Sequence, residues 1–290
     1  MPELPEVETI RRGLKQYLAG QVIESVDVRL PRIFSGDKKS IIGSEIIDVR
    51  RFGKGLVIDL ANRYSIAIHI KMTGQFIYVG PNTPKGLKIS EKVGGILPHK
   101  HTHVIFRLRA ESLVQREKAV LYYNDIRQFG WMKIIKTKEL TEISFFRKLG
   151  HELLSNLSFL EFSRILSSSR SPVKIVIMDQ EKIAGAGNIY ANDALFLAKI
   201  HPKKAANTLS EKEAKSLFNA LEKVLKKGIE VGGASEWQYV NALGQTGYYQ
   251  DFFQVYGKVG KKCVVCGSVI EKLTLGGRGT FYCPSCQILE

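Results

Sequence analysis

Met1-Pro2-Glu3-Leu4-Pro5-Glu6-Val7-Glu8 opens the chain and decides how the remainder is read. Removal of Met1, which a small second residue such as Pro2 permits, leaves a secondary amine beside a carboxylate. Alpha-amino groups have a pKa of about 8, so a sizeable fraction is unprotonated near neutrality and can attack an electrophilic carbon. While Met1 is attached, the Pro2 nitrogen is an amide and has no such lone pair. The other reading of the same stretch is a rigid helix start, with Glu3, Glu6 and Glu8 placed at the positive end of a helix.

Outward from that opening, Glu6 to Gly20 carries one apolar stripe, Val7, Ile10, Leu14 and Leu18, which predicts a helix closed by Gly20. From Val22 to about Ile135 the period drops to two. Leu56, Ile58 and Leu60, then Ile66, Ile68 and Ile70, then Val104, Phe106 and Leu108 alternate with other residues, which predicts an antiparallel β-sandwich. Pro81 to Pro98, rich in Gly, Pro and Lys, reads as a surface loop. His99, His101 and His103 alternate as one face of a strand; a metal site and an ordinary strand entry both fit, and the absence of a nearby carboxylate favours the strand entry.

Helical signals take over around Leu140 to Ser155. Ser158 with Glu161 and Ser210 with Glu213 fit capping boxes, Ser171-Pro172 starts a helix, and Asn188 precedes an apolar run from Ile189 to Ala198. The stretch from Gly232 to Tyr249, Gly-rich and aromatic-rich without a period, reads as a functional or disordered loop.

All four cysteines stand near the end as Cys263-Val264-Val265-Cys266 and Cys283-Pro284-Ser285-Cys286, 16 residues apart. Paired Cys-x2-Cys knuckles at this spacing make a tetrahedral thiolate zinc site, closed and therefore structural. The zinc would shape a hairpin with Arg278 at or near its tip, placed to grip a phosphate or else an ordinary solvated turn residue.

Composition narrows the partner. The 43 Lys and Arg outnumber the 28 Asp and Glu across 290 residues, a formal charge of +15 and a pI near 9.6. Such an excess favours a polyanion, nucleic acid first and a membrane surface second, since no strongly basic amphipathic helix is present. No apolar run has membrane-spanning length and no signal-peptide pattern opens the chain, so a cytoplasmic, nucleoid-associated location is expected.

Three stretches carry a family resemblance: Pro2-Glu3-Leu4-Pro5-Glu6-Val7-Glu8-Thr9, Gly185-Ala186-Gly187-Asn188-Ile189-Tyr190-Ala191, and Gly279-Thr280-Phe281-Tyr282-Cys283-Pro284-Ser285-Cys286-Gln287. Together they resemble the formamidopyrimidine-DNA glycosylase family of bacterial repair enzymes. The resemblance implies an α+β, multidomain fold. Residues 1–138 form an N-terminal helix and catalytic β-sandwich, 150–229 a helix-two-turn-helix domain, 230–257 a lesion-capping loop and connection, and 258–290 a zinc finger.

It further implies a bifunctional enzyme that excises oxidised purines from duplex DNA and then nicks the strand. Pro2 resembles the attacking amine, Glu3 the acid at O4′ of the sugar, and Glu6 a supporting carboxylate. Lys54, which alone reads as a surface lysine at a hairpin, matches a lysine on the phosphate beside the lesion. Gly187, Asn188, Tyr256, Arg278 and His69 match phosphate contacts; Met72, Arg127 and Phe129 match the side chains that fill the gap left by an extruded base.

Departures from the family pattern stand at Gln128, where many relatives have a basic residue, and at Ala234-Ser235-Glu236-Trp237-Gln238-Tyr239 in the capping loop. One structural Zn2+, no nucleotide cofactor, and a monomer are expected. The alternatives are an endonuclease VIII-like glycosylase for oxidised pyrimidines and a non-catalytic zinc protein that binds damaged DNA. Leu4 in the opening favours the purine branch.

Overall fold

The apolar stripe of the opening helix fixes the first layer of the protein. In the structure, a computed structural model describing residues 1–110 and 118–289, helix α1 (Leu4–Leu18) buries Val7, Ile10, Leu14 and Leu18 completely. Each is worth about 1.5–3 kcal/mol of apolar transfer. The helix starts earlier than its stripe because Glu3 and Glu6 form a capping box and Pro5 occupies the first turn. It ends at Leu18 with Ala19 as C-cap, and Gly20 follows at φ +83°.

The chain divides into two compact units, Met1–Arg147 with Val231–Gln250, and Lys148–Glu230 with Asp251–Glu290. The connection over 230–257 is thereby shared between the two. The stretches 150–229 and 258–290 fall in one unit.

In the first unit nine strands make two sheets. They are β1 (Gln21–Val28), β2 (Phe34–Ser35), β3 (Ile46–Phe52), β4 (Gly55–Leu60), β5 (Tyr64–His69), β6 (Gly74–Val79), β7 (Thr102–Ala110), β8 (Lys118–Asp125) and β9 (Trp131–Lys136). One sheet runs β1-β7-β8-β6 and the other β2-β9-β5-β4-β3, antiparallel throughout except for the short parallel pair β2–β9. Val49, Ile58, Ile66, Ile68, Phe76, Val104, Phe106 and Leu121 join the α1 stripe in one core.

Alternation of burial fails where it was expected, because β4 is buried on both faces. The outer face of β4 and β5, with Val57 and Ala67, is covered by Leu140 from a 3-10 turn (Thr137–Glu142), Ile143 at its C-cap, and Phe146 from the short helix α2 (Ser144–Arg147). The other sheet is covered likewise: Ile77 packs with Val93 and Val240. Residues 81–98 are therefore not wholly a surface loop, since Val93 in their single 3-10 turn is a core residue.

The second unit comprises β10 (His151–Glu152), α3 (Phe159–Ser167), α4 (Val173–Met178), β11 (Ile183–Ala184), α5 (Asn188–Leu197), α6 (Glu211–Glu230) and the hairpin β12 (Glu271–Leu275)–β13 (Arg278–Tyr282). Both capping boxes form: Glu161 N–H donates to Ser158 Oγ at 3.2 Å and Glu213 N–H to Ser210 Oγ at 3.3 Å. Pro172, with ψ at 134°, is the N-cap of α4 and not its first residue. Helix α5 is buried from Ile189 through Phe196, so it is the unit's central element. Its last turns meet the cysteine module through Phe196, Val255, Ile270 and Cys263.

Candidate active site

Pro2 is buried, between an exposed Met1 and a buried Glu3. Glu3 is fixed through its backbone: its N–H donates to Glu6 Oε2 at 2.7 Å, and its carboxylate takes the N–H of Glu6 in return. The second oxygen of Glu6 accepts the N–H of Ala234 at 2.8 Å. One carboxylate thus joins the head of α1 to a segment 228 positions further along. Gly233 makes that approach possible. It sits at φ +84°, and a Cβ there would lie 2.9 Å from Glu6 Oε1.

Glu8 is held differently. Arg11, Arg12 and Arg51 surround it at 2.9 Å each, and their hydrogen bonds and charge outweigh its burial and hold its carboxyl at about 2. Arg51 also donates to the carbonyl of Gly53 at 3.0 Å, in the turn that carries Lys54. The surface position that Lys54 suggests in isolation is overturned: the residue is only 5% exposed.

Its charge reaches His69, whose ring is buried against Phe145 at 4.7 Å between centroids. Burial first, then the charges of Lys71 and Lys54, push His69 down to about 3. Because Nδ1 accepts the Lys71 N–H at 3.0 Å, the neutral ring carries its proton on Nε2.

Met72, Arg127 and Phe129 come together on two adjoining turns. Arg127 Nη1 lies 3.0 Å from the Met72 sulfur and its guanidinium stands 4.8 Å over the Phe129 ring. Phe129 is 53% exposed. Two residues that the sequence reading passed over hold this group. Thr73 hydroxyl donates to Asp125 and accepts the Arg127 N–H at 3.0 Å, while Asp125 Oδ2 accepts Gly130 N–H at 2.8 Å. Their adjacency to the motif residues was the available signal. Gln128 adopts φ +57° and accepts from Arg32.

In the second unit Asn188 is the first residue of α5, with Gly187 as N-cap, and its amide donates to the Gly279 carbonyl at 3.0 Å. Gly185 needs its φ of +105°, whereas Gly187 is in ordinary extended backbone. Arg278 is exposed at the first position of β13, just past the Gly276-Gly277 tip. Tyr256 packs on Phe281 at 5.2 Å and its N–H reaches Asp193 Oδ1 at 3.3 Å.

Asp193 also accepts from Gln254 and Val255, both at 3.1 Å, yet burial pushes its carboxyl up to about 6. Lys174 was missed altogether. It is fully buried and donates to Thr280 Oγ1 at 2.7 Å, a contact that no local pattern announces.

The four thiols lie within 4.8 Å of one another, with Cys263–Cys286 at 3.9 Å and Cys266–Cys283 at 3.5 Å. Zinc–sulfur bonds of about 2.3 Å in a tetrahedron require sulfur separations of about 3.8 Å, so the set fits one closed, structural zinc. The histidine triplet is not such a group: His99 and His103 direct Nε2 at the carbonyls of Val93 and Asp125.

A β-sandwich unit that buries a Pro-Glu pair, and a helical unit carrying a four-thiolate finger, define a two-unit zinc-finger protein. Residues 1–132 match the formamidopyrimidine-DNA glycosylase N-terminal domain, 149–239 the H2TH domain of the same enzymes, and 260–288 the zinc finger found in FPG and IleRS. The chain is 39% identical to the formamidopyrimidine-DNA glycosylase of Pelotomaculum thermopropionicum over 99% of both chains. It is 37% identical to that of Listeria innocua over 99% of this chain and all of the other.

Among solved structures, Lactococcus lactis Fpg in complex with DNA containing an abasic site superposes with a TM-score of 0.85 at 33% identity, covering 99% and 100% of the two chains. MutM (Fpg) from Thermus thermophilus gives 0.83 at 35%, covering 99% and 98%. The chain belongs to the formamidopyrimidine-DNA glycosylase family, and by that membership is a DNA glycosylase of base excision repair.

Proposed function

We propose that the chain excises oxidised purines from duplex DNA and then cleaves the strand, with Pro2 as nucleophile after Met1 is removed. The observation that carries this reading is the double clamp of Glu6 on Glu3 and Ala234, which ties the buried head of α1 to the 231–250 loop. The Pro2 amine attacks C1′, the damaged base leaves with its bonding electron pair, and Glu3 transfers a proton at O4′ as the sugar ring opens. The iminium so formed acidifies C2′–H; loss of that proton expels the 3′ phosphate, and a second elimination expels the 5′ phosphate.

Lys54 supplies a buried cation for the phosphate beside the lesion, and His69 a neutral Nε2–H donor. Met72, Arg127 and Phe129 fill the vacated stack, apolar wedges with one cationic donor for the orphaned base. Asn188, Gly187, Tyr256 and Arg278 hold phosphates from the second unit. When bound, zinc supplies only the fold of the β12–β13 hairpin. One copy of the chain suffices, no nucleotide cofactor enters, and the net charge of +15 suits a phosphate-dominated interface.

A broader lesion range has one supporting observation: Lactococcus lactis Fpg has been solved with DNA containing Fapy-dG and with DNA containing an oxidised pyrimidine. The test is borohydride trapping on duplex DNA with 8-oxoguanine opposite cytosine. The expected result is a covalent adduct that maps to Pro2 in chains lacking Met1, together with strand cleavage. Binding without an adduct sinks the reading, and an adduct that maps to a lysine side chain instead of residue 2 moves the nucleophile to that lysine.

A further inference from the structure

Within 231–250 the five residues Ser235 to Tyr239 form a closed loop fixed at both feet. Ser235 hydroxyl donates to the Tyr239 carbonyl at 2.9 Å and accepts the Gly247 N–H at 2.8 Å, and Ser235 N–H donates to Gln250 Oε1 at 2.9 Å. The Lys92 ammonium donates to the Ser235 carbonyl. On the other foot the Gln75 amide donates to the Gln238 carbonyl, and the Tyr239 hydroxyl to Gly232 at 2.9 Å. Between these anchors stand Glu236 and Trp237, both exposed.

Trp237 is 71% exposed, a larger fraction than Phe129 shows. A solvated indole contributes nothing to this unit's core, and the six hydrogen bonds tie the chain on either side of it, at Ser235, Gln238 and Tyr239, while leaving the ring in solvent. An exposed aromatic on a loop tied at both feet is placed to meet another flat surface. The loop is rooted at Ala234, on the Glu6 carboxylate that also caps the nucleophile's helix. Trp237 lies three residue steps beyond Ala234, a backbone reach of at most about 11 Å.

Resting on the function proposed above, we infer that Trp237 stacks on the extruded base whose C1′ faces Pro2, and that it reads the face of that base and not its edge. Stacking is tolerant of ring substituents and intolerant of puckering. Planar oxidised bases such as 8-oxoguanine are therefore favoured over saturated, non-planar ones such as thymine glycol.

The chain has two tryptophans, so in a Trp131→Phe, Glu3→Gln chain, excited at the red edge of the indole band where tyrosine does not absorb, Trp237 is the only emitter and the lesion stays unexcised. Its fluorescence is quenched on duplex containing 8-oxoguanine and is unchanged on the same duplex with a tetrahydrofuran abasic analogue. Equal quenching by both duplexes, or by neither while both bind, overturns the inference.

In the otherwise unaltered chain, Trp237→Ala slows single-turnover excision of 8-oxoguanine by roughly 10- to 100-fold, the equivalent of one lost base–aromatic stack. Trp237→Phe recovers most of that rate, and cleavage of a preformed abasic site is unaltered in both. Excision at the full rate by Trp237→Ala also overturns it. Should the unaltered chain form no borohydride adduct, the proposed chemistry fails, while the fluorescence comparison still decides the stacking.

Discussion

Replacing Glu6 by Gln removes one charge and one acceptor at a place where both carboxylate oxygens face backbone donors. Glu6 is 1% exposed, and its oxygens accept from Glu3 at 2.7 Å and Ala234 at 2.8 Å. Glutamine keeps the shape but presents an NH2 group to one of those N–H groups, so a buried donor loses its acceptor at a cost of about 1–3 kcal/mol. The remaining bond loses its charge assistance. Together these give about 2–4 kcal/mol, which for a unit of this size lowers the melting temperature by about 5–15 °C.

Urea unfolding measures the loss, and amide exchange at Ala234 localises it: exchange there accelerates about 30-fold or more if the clamp opens locally. Base excision falls with the clamp. If Glu6→Gln unfolds within about 0.5 kcal/mol of the unaltered chain and Ala234 exchanges at its original rate, the clamp described here is not what fixes the loop.

Acid weakens the first unit in two windows. His69 is held neutral to about 3 in the fold and titrates near 6.5 when unfolded, so stability is full above pH 6.5 and is lost as pH falls toward 3. His69→Phe flattens the upper part of this decline in urea-unfolding midpoints. Glu8, held at about 2, contributes about 3 kcal/mol above its unfolded value and loses it between about pH 4.5 and 2; Arg51→Met removes much of that lower window. Chelation of the zinc, or Cys266→Ser, unfolds the hairpin carrying Arg278 and weakens DNA binding more than tenfold, with the β-sandwich CD signal intact. Unaltered affinity at zero metal content contradicts this.

Much of the fold was legible because it is written locally. The stripe of α1, both capping boxes and the Cys-x2-Cys spacing each need only neighbours in sequence. Local pattern failed where burial comes from distant chain. Lys54 reads as a surface residue because nothing in Arg51-Phe52-Gly53-Lys54 announces that the turn is enclosed. The double-sided burial of β4 depends on Leu140 and Phe146, some 80 residues on.

Lys174 is enclosed by a hairpin about 100 residues away. The 231–250 loop is built almost wholly from side chains bonding to backbone, an arrangement without a period. Of the candidate site, the residues proposed to bear the chemistry stand in sequence motifs, whereas the contacts of Thr73, Asp125 and Arg51 that hold their turns do not show in any local pattern.

Three carboxylates at the start of one helix, in a chain that is otherwise strongly basic, do three different things because each meets a different environment. Glu3 faces the helix's own first amides and stays within reach of Pro2. Glu6 turns both oxygens to backbone donors and thereby ties a loop from the far end of the chain to that helix. Glu8 takes three guanidiniums, and through Arg51 its charge is joined to the Gly53 carbonyl, hence to the turn bearing Lys54. The lysine's turn and the loop of Trp237 are thus referenced to α1 by hydrogen bonds of 2.7–3.0 Å. The helix is the frame to which Pro2, the turn of Lys54 and the loop of Trp237 are tied, and the burial of its apolar stripe keeps that frame fixed.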